Sequence, residues 1–308
     1  MKLLQLRYLV EVCRHDNHIS NTAEALHTSQ PGISRQIQLI EEELGFAVFA
    51  RKRNRIVGLT DPGQEVVAIA KRVLADIDNL KRLGQEMSER TGGTLAIATT
   101  HTQARYVLPK VIERFIQRHP TVELQLKQGN PTQICEMVEA GQADLAVGTE
   151  PSQPFPGLVR LECFELSRSI VVKAGHPLLK KRKPTLHDVA AYPIITHEPA
   201  FSGHWKVMNA FREAGITPKV VFGAVDADVS KTYVELGVGI AVMTSVSYER
   251  TKDAGLRAID AAHLFPSSTV SISLRPNTYL RTPTYDFIRL FSPRLTREAI
   301  ESALDQST

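Results

Sequence analysis

The stretch ATTHTQAR, Ala98 to Arg105, places threonines, a histidine and a glutamine between an apolar run and a helical pattern. A hydroxyl beside an imidazole could act as nucleophile and base, and an imidazole could ligate a metal. The same residues could instead form a helix entrance that seats a small ligand. The metal reading lacks partners, since no cysteine or carboxylate stands at zinc-site intervals from His101. The nucleophile reading lacks a frame: the chain has no G-x-S-x-G elbow, no Walker lysine loop and no dinucleotide glycine fingerprint.

A helix entrance after a strand leaves backbone N–H groups unpaired and facing outward, and its dipole favours an anion. Thr100 and Thr102 add hydroxyls and Gln103 an amide, all neutral donors, so this reading requires no cation. Thr149 closes another strand-like run, and Ser202 precedes GHWKVMNAF; each offers a further hydroxyl. His101 reads as a rim or packing residue and Arg105 as a surface one. The competing role for Thr99 and Thr100 is simple capping of the helix.

The elements that must hold these residues follow an α/β rhythm. TLAIAT, VELQLKQG and ADLAVGT read as strands, with QARYVLPKVIERFIQRHP and PTQICEMVEAGQ as helices between them. SIVVKAG, PIITH, KVVFGA, IAVMTS and TVSISLR continue the series, with helices at GHWKVMNAFREAG, DVSKTYVELGVG and TPTYDFIRLFSPRL. Alternation of this kind predicts parallel sheets in two lobes, with a ligand cleft at the strand C-termini.

The first sixty residues are different. A helix from Leu4 is followed by a short one capped at Ser20 or Asn21, then by PGISRQIQLIEEELG. The last has Thr28 or Ser29 as its cap, Pro31 in its first turn and Gly45 as its stop. Two such helices and a short turn make a helix-turn-helix, whose second helix reads the DNA major groove. Gln30, Ser34, Arg35 and Gln38 face outward there, and Arg51, Lys52, Arg53 and Arg55 form a basic wing suited to phosphates. From Asp61 to about Arg90 a long helix repeats Val66, Val73, Leu80 and Met87 every seven residues, with Ala70 and Ile77 between. A second copy of the helix, or its own domain, must cover that stripe; a dimeric reader of a symmetric site favours the copy. ERTGGT then forms a hinge.

Composition narrows the class. The 308 residues are 43% hydrophobic and 23% charged, with a net charge of +4, as in an ordinary soluble protein. No apolar run approaches the ~18 residues of a membrane span, and the N-terminus lacks a secretion signal, so a cytoplasmic location is expected. Cys13, Cys135 and Cys163 match no zinc or redox spacing and read as small buried side chains.

TAEALHTSQPGISRQIQLIEEELGFAVFARKRNRIVGLTDPGQ, followed by a long helix and a two-lobed α/β region, resembles the LysR-type transcriptional regulators through essentially the whole chain. ATTHTQARYVLP, QGNPTQI, ADLAVGTE and DADVSKTYVELGVG are similar to the CysB subgroup of that family. The resemblance implies an α/β chain with an N-terminal all-α winged helix-turn-helix (1–60), a linker and dimerisation helix (61–91) and an effector-binding domain (92–308). That last domain would be like the two-lobed periplasmic binding proteins, with lobe I about 92–163 and 268–308 and lobe II about 164–267. It also implies DNA contacts at Gln30, Pro31, Ser34, Arg35, Arg51 and Arg53, and effector contacts at Thr100, Thr102, Gln103, Thr149 and Ser202. No catalytic residue, metal or cofactor is implied. The expected partners are promoter DNA, a small anionic effector such as sulfate, acetylserine or a related sulfur metabolite, further copies of the chain in a homotetramer, and RNA polymerase.

Ser202 stands where the subgroup usually has threonine. Leu166 replaces its usual tryptophan, and HEPAFSGHW differs from its tyrosine-containing counterpart. An enzyme, a transport-type solute-binding protein and a LysR-type regulator of another pathway are the alternative readings. A solute-binding protein would carry a signal peptide and no helix-turn-helix, the reverse of what this sequence shows.

Overall fold

Leu6, Leu9, Val10 and Val12 share one buried face of α1 (Leu3–Arg14), and around that face the N-terminal core assembles. The computed structural model describes residues 1–53, 55–87 and 92–306. Of the expected hinge, Glu89 to Thr91 lie outside the described residues, as does the side chain of Met87. The chain forms two compact units, Met1–Met87 with Asn277–Tyr279, and Ser88–Pro276 with Leu280–Thr308.

In the first unit α2 (Ile19–Ala25) begins after His18 rather than at the expected Ser20 or Asn21 cap, and His18 gives no side-chain bond. The second helix of the pair, α3 (Gln30–Leu44), buries Ile33, Ile37 and Ile40 and ends on Gly45 at φ +79°. A β-branched residue would be strained there. Antiparallel β1 (Phe49–Lys52) and β2 (Arg55–Leu59) make the wing. The long helix α4 (Asp61–Met87) buries Val67 and Ala70, and packs Val66, Val73 and Leu74 against the same core. Ile69, Leu80 and Leu83 stay exposed. The first half of the expected seam therefore covers its own domain, and the second half faces outward.

The second unit has two five-stranded sheets, one in each lobe. In the first, β3 (Thr94–Thr99) lies between parallel neighbours β4 (Glu123–Gln128) and β5 (Leu145–Gly148). Helices α5 (Leu108–Arg118) and α6 (Pro131–Glu139) make the crossovers, and the order is completed by β12 (Ser268–Leu274) and β6 (Val159–Leu166). In the second, which the short α7 (Leu186–Ala190) precedes, β8 (Ile194–His197) lies between β9 (Val220–Ala224) and β10 (Ile240–Thr244), through α8 (Ser202–Glu213) and α9 (Ala227–Glu235). Strands β7 (Arg168–Lys173) and β11 (Leu256–Asp260) complete that sheet. The two lobes thus repeat one βαβαβ plan. Asn130 and Asp226 cap the equivalent helices α6 and α9.

The sheets are mixed, not purely parallel as expected: β12 runs against β5 and β6, and β7 against β10 and β11. The chain passes between lobes twice, at Ser167 and through 261–267. Strands β7 and β12 start at those crossings, whereas β3, β5 and β10 end near them, so their directions must oppose. Helices α10 (Thr282–Phe291) and α11 (Arg297–Asp305) close the first lobe with Phe287, Phe291, Ile300 and Leu304 in its core. Cys135 and Cys163 are buried as expected, and Cys13 is half-buried. Among the described residues no helix is long and apolar enough to cross a membrane.

Candidate functional site

The reading head is built on α3. Ser29 caps it by accepting the Gly32 N–H at 3.2 Å, and Pro31 occupies the first turn, where a missing N–H costs nothing. With Ile33, Ile37 and Ile40 turned inward, Gln30, Pro31 and Arg35 are exposed and Ser34 is half-buried. The Arg35 guanidinium donates to Gln38 at 3.3 Å and lies 3.7 Å from Glu42, both loose contacts on the exposed face of the helix. Gln30 accepts a bond from Ser20 of α2 at 3.3 Å.

On the wing Arg53 occupies the turn at φ +49°, exposed beside Lys52 and Arg55. Arg51 is engaged differently. Its guanidinium pairs with Glu41 of α3 at 2.8 Å, while the other Glu41 oxygen accepts the N–H groups of Val48 at 2.9 Å and Phe49 at 3.0 Å. Glu41 thereby ties the wing to the reading helix. Arg51 sets the wing's position as well as adding to its charge.

In the second unit the loops after β3, β5 and β8 converge where each strand order reverses, the usual ligand position in open α/β sheets. Thr99 donates its hydroxyl to the Val147 carbonyl at 2.9 Å, stitching β3 to β5 rather than capping a helix. Thr100 and Gln103 are buried and Thr102 half-buried. Residues Gln103–Val107 form a π-helical turn ahead of α5, in which the Leu108 N–H reaches back to the Gln103 carbonyl. Pro109 in the next turn offers no N–H, so the wider turn relieves the ladder. The Gln103 side-chain oxygen is buried with no partner in the protein.

Ser202 at the start of α8 donates to Thr149 across the cleft at 3.1 Å and lies 3.3 Å from the Ser268 hydroxyl. The structure therefore joins Thr149 and Ser202 directly and places Thr100 and Gln103 together at the end of β3. Thr102 lies in the same turn. Beside this contact, Lys206 of the second lobe pairs with Glu150 of the first at 2.6 Å. Burial raises the Glu150 carboxyl, but the Lys206 ammonium and the Thr269 N–H outweigh it and hold it below its ordinary range. A further link between lobes is the Tyr106 hydroxyl, which donates to Asp228 at 2.6 Å. His101 and Arg105 border that link, 4.0 and 3.6 Å from Asp228.

Sequence reasoning missed three buried polar groups behind the cleft. Arg168, only 1% exposed, donates to Ser268 at 2.5 Å. His197 and Thr196 are buried close by, and Nδ1 of the first and Oγ1 of the second are unpartnered within the protein. Burial, and then the Arg168 charge, lower His197 to about 4, so its ring is neutral near pH 7. The expected cation-free cleft thus has a guanidinium behind its serines. Its signal was a charged residue opening the apolar run SIVV, where a solvated arginine has no place.

Two family models cover the chain. Residues 3–64 match the bacterial regulatory helix-turn-helix protein, lysR family, and residues 88–296 match the LysR substrate binding domain. The regulator CysB of Burkholderia cenocepacia is 44% identical over 99% of this chain and 97% of its own. SsuR of the same organism is 42% identical over the full length of both, and cbl of Escherichia coli 36% over 100% and 98%. The crystal structure of the Cbl cofactor-binding domain is similar at TM-score 0.66 and 34% identity, over 70% of this chain and 94% of that one. Full-length BenM shares the fold at TM-score 0.56 and 24% identity, over 94% and 95%. These relatives are transcriptional regulators, not enzymes. Regulators of this type bind promoter DNA, hold a small effector in the substrate-binding domain and assemble as oligomers. With both its reading head and its two-lobed unit matched, the chain belongs to the LysR family of DNA-binding transcriptional regulators.

Proposed function

We propose that this regulator controls sulfur-assimilation genes, binding their promoters as a homotetramer and responding to a small anionic or sulfur-related effector held between its lobes. Sulfate and acetylserine are the candidate effectors. The observation that carries this reading is the Thr149–Ser202 contact across the cleft, beside buried Thr100 and Gln103 at the end of β3. Subgroup resemblance and the relatives named CysB, SsuR and cbl support the sulfur assignment. Thr100, Thr102, Gln103, Thr149 and Ser202 are the proposed effector contacts.

The effector acts by its difference in affinity between open and closed lobes, which shifts the spacing of the reading heads. Gln30, Pro31, Ser34 and Arg35 read the major groove, with Arg53, and Arg51 through its Glu41 anchor, at the phosphates. Exposed Ile69, Leu80 and Leu83 on α4 offer the dimer seam. The cytoplasm is the proposed location, and RNA polymerase a further partner at the promoter.

Electrophoretic shifts of the full chain on a sulfur-metabolism promoter, with and without sulfate or acetylserine, test the reading. Salt-sensitive binding that an effector alters is expected; no salt-sensitive binding in either condition overturns it. Arg35→Ala should weaken promoter affinity about ten- to hundredfold, as for loss of one base- or phosphate-contacting arginine. Unchanged affinity would remove Arg35 from the interface. Thr100→Ala combined with Gln103→Ala should weaken effector binding at least about tenfold, the cost of unmade hydrogen bonds to a charged ligand. Effector-free promoter affinity should hardly move. Equal effector affinity in wild type and variant would reject the pocket.

A further inference from the structure

A guanidinium is rarely buried without a carboxylate, because removal from water carries a cost that a counter-charge offsets. Arg168 has none. Among the described residues no carboxylate lies within ion-pairing distance of it, and Glu150, whose charge it feels, is bonded to Lys206. Its bond to the Ser268 hydroxyl is to a neutral group, and its Nε has no partner in the protein.

The surroundings add more positive potential. Helix α8 is twelve residues long and starts at Ser202 with no side-chain cap, since Phe201 offers none. The His204 N–H closes on the Phe201 carbonyl at 3.0 Å, which leaves the N–H groups of Ser202 and Gly203 at the helix end, the usual cradle for an anion. Gly203 lies in that turn, and a Cβ there would come within 3.1 Å of Arg168 Nη1 and 3.0 Å of His197 Cδ2. The guanidinium thus sits against the helix end itself. From it the hydroxyls of Ser268, Ser202 and Thr149 run in sequence into the cleft. His197 stays neutral beside it, and the Thr196 hydroxyl has no partner.

We propose that Arg168 is the charged anchor of the effector site, and that it selects a compact oxyanion held jointly by the α8 N-terminus and the hydroxyls of Ser202, Ser268 and Thr149. This rests on the reading of the cleft as an effector site and changes its chemistry. The site recognises charge directly, in addition to the neutral donors at the β3 end.

The test uses the full chain, with sodium sulfate as the probe and sodium chloride at matched ionic strength as the control. Calorimetry and thermal unfolding follow wild type, Arg168→Met and Arg168→Lys. Arg168→Met should unfold at a higher temperature than wild type without sulfate, because an uncompensated buried charge is gone, and should lose at least a hundredfold in sulfate affinity. Arg168→Lys keeps the charge but not the two-pronged donor, and should bind about tenfold more weakly. A guanidinium that merely braces the hinge gives the opposite pattern: Arg168→Met less stable without sulfate, with its sulfate response retained. That pattern, or sulfate affinity undiminished in both variants, overturns the proposal. If Thr100→Ala/Gln103→Ala loses sulfate binding while Arg168→Met keeps it, this inference fails and the effector-site reading stands. A wild type blind to sulfate overturns this inference, and the effector-site reading then stands or falls on the acetylserine arm of the promoter-shift experiment.

Discussion

Gly63→Ala is expected to unfold the DNA-reading unit at a much lower temperature and to abolish promoter binding at growth temperature. A Cβ at Gly63 would lie 2.0 Å from the Val48 carbonyl oxygen and 2.9 Å from Thr60 Oγ1. Neither neighbour can give way cheaply. The Val48 N–H is held by Glu41, and the Val48 carbonyl accepts the Thr60 N–H at 3.0 Å. The Thr60 hydroxyl in turn caps α4 by accepting the Gly63 N–H at 3.0 Å. A methyl group there pushes the wing and the start of α4 apart, at a cost of about 3 kcal/mol, the upper end for overpacking. For a unit of this size that lowers the midpoint by roughly 15 °C. Gly84→Ala is the matched control, an identical change on the exposed part of α4 with nothing within 4 Å of the new Cβ. It should stabilise by up to about 1 kcal/mol. Calorimetric scans of both variants decide the matter, and a Gly63→Ala melt at the wild-type temperature would falsify the close approach.

Lys231→Met should damage the other unit comparably. The Lys231 ammonium is buried, 3.1 Å from Asp253 and 3.1 Å from Asp228, and lies 5.2 Å from the Tyr106 ring centroid. Burial works against its charge, but Tyr106, Asp253 and Asp228 outweigh that and hold it protonated above its ordinary range. Its removal leaves the buried Asp253 uncompensated, with about 3 kcal/mol lost and a midpoint roughly 10 °C lower. The effect reaches the cleft, because Asp228 is also the acceptor that Tyr106 grips from the first lobe. Lys231→Met/Asp253→Leu, which removes both charges, should recover more than half of the lost stability. A double variant no more stable than Lys231→Met would show that the cost is not electrostatic.

Legibility in the sequence followed local chemistry. The Ser29 cap, Pro31, the inward isoleucines and Gly45 are all interactions within one helix, so α3 could be read residue by residue. The βαβαβ plan was readable for the same reason. Strand β6 escaped although VRLECFEL alternates inward and outward, because its pairing partner β12 lies about a hundred residues away. The antiparallel direction of β7 and β12 escaped too, since direction is set by where the chain crosses between lobes and not by residue type. At the site the threonines and Gln103 announced themselves by crowding. Arg168 did not: its meaning lies in burial, and burial depends on Ser268, Gly203 and His197 arriving from distant segments. Arg51 was likewise legible as a basic residue, but not as Glu41's partner.

The two chain crossings between the lobes have a mechanical consequence. Arg168 opens β7 immediately after the first crossing, Ser268 opens β12 immediately after the second, and a hydrogen bond joins them. That bond is a pin through the hinge axis. A ligand gripping the lips of a cleft works at the end of a long lever, so thermal rocking of the lobes constantly strains its contacts. One seated on the pin moves little while the lobes swing, and it sets the resting angle by a torque on two short connections. Small chemical differences at the axis then become large displacements at the far edges of the lobes.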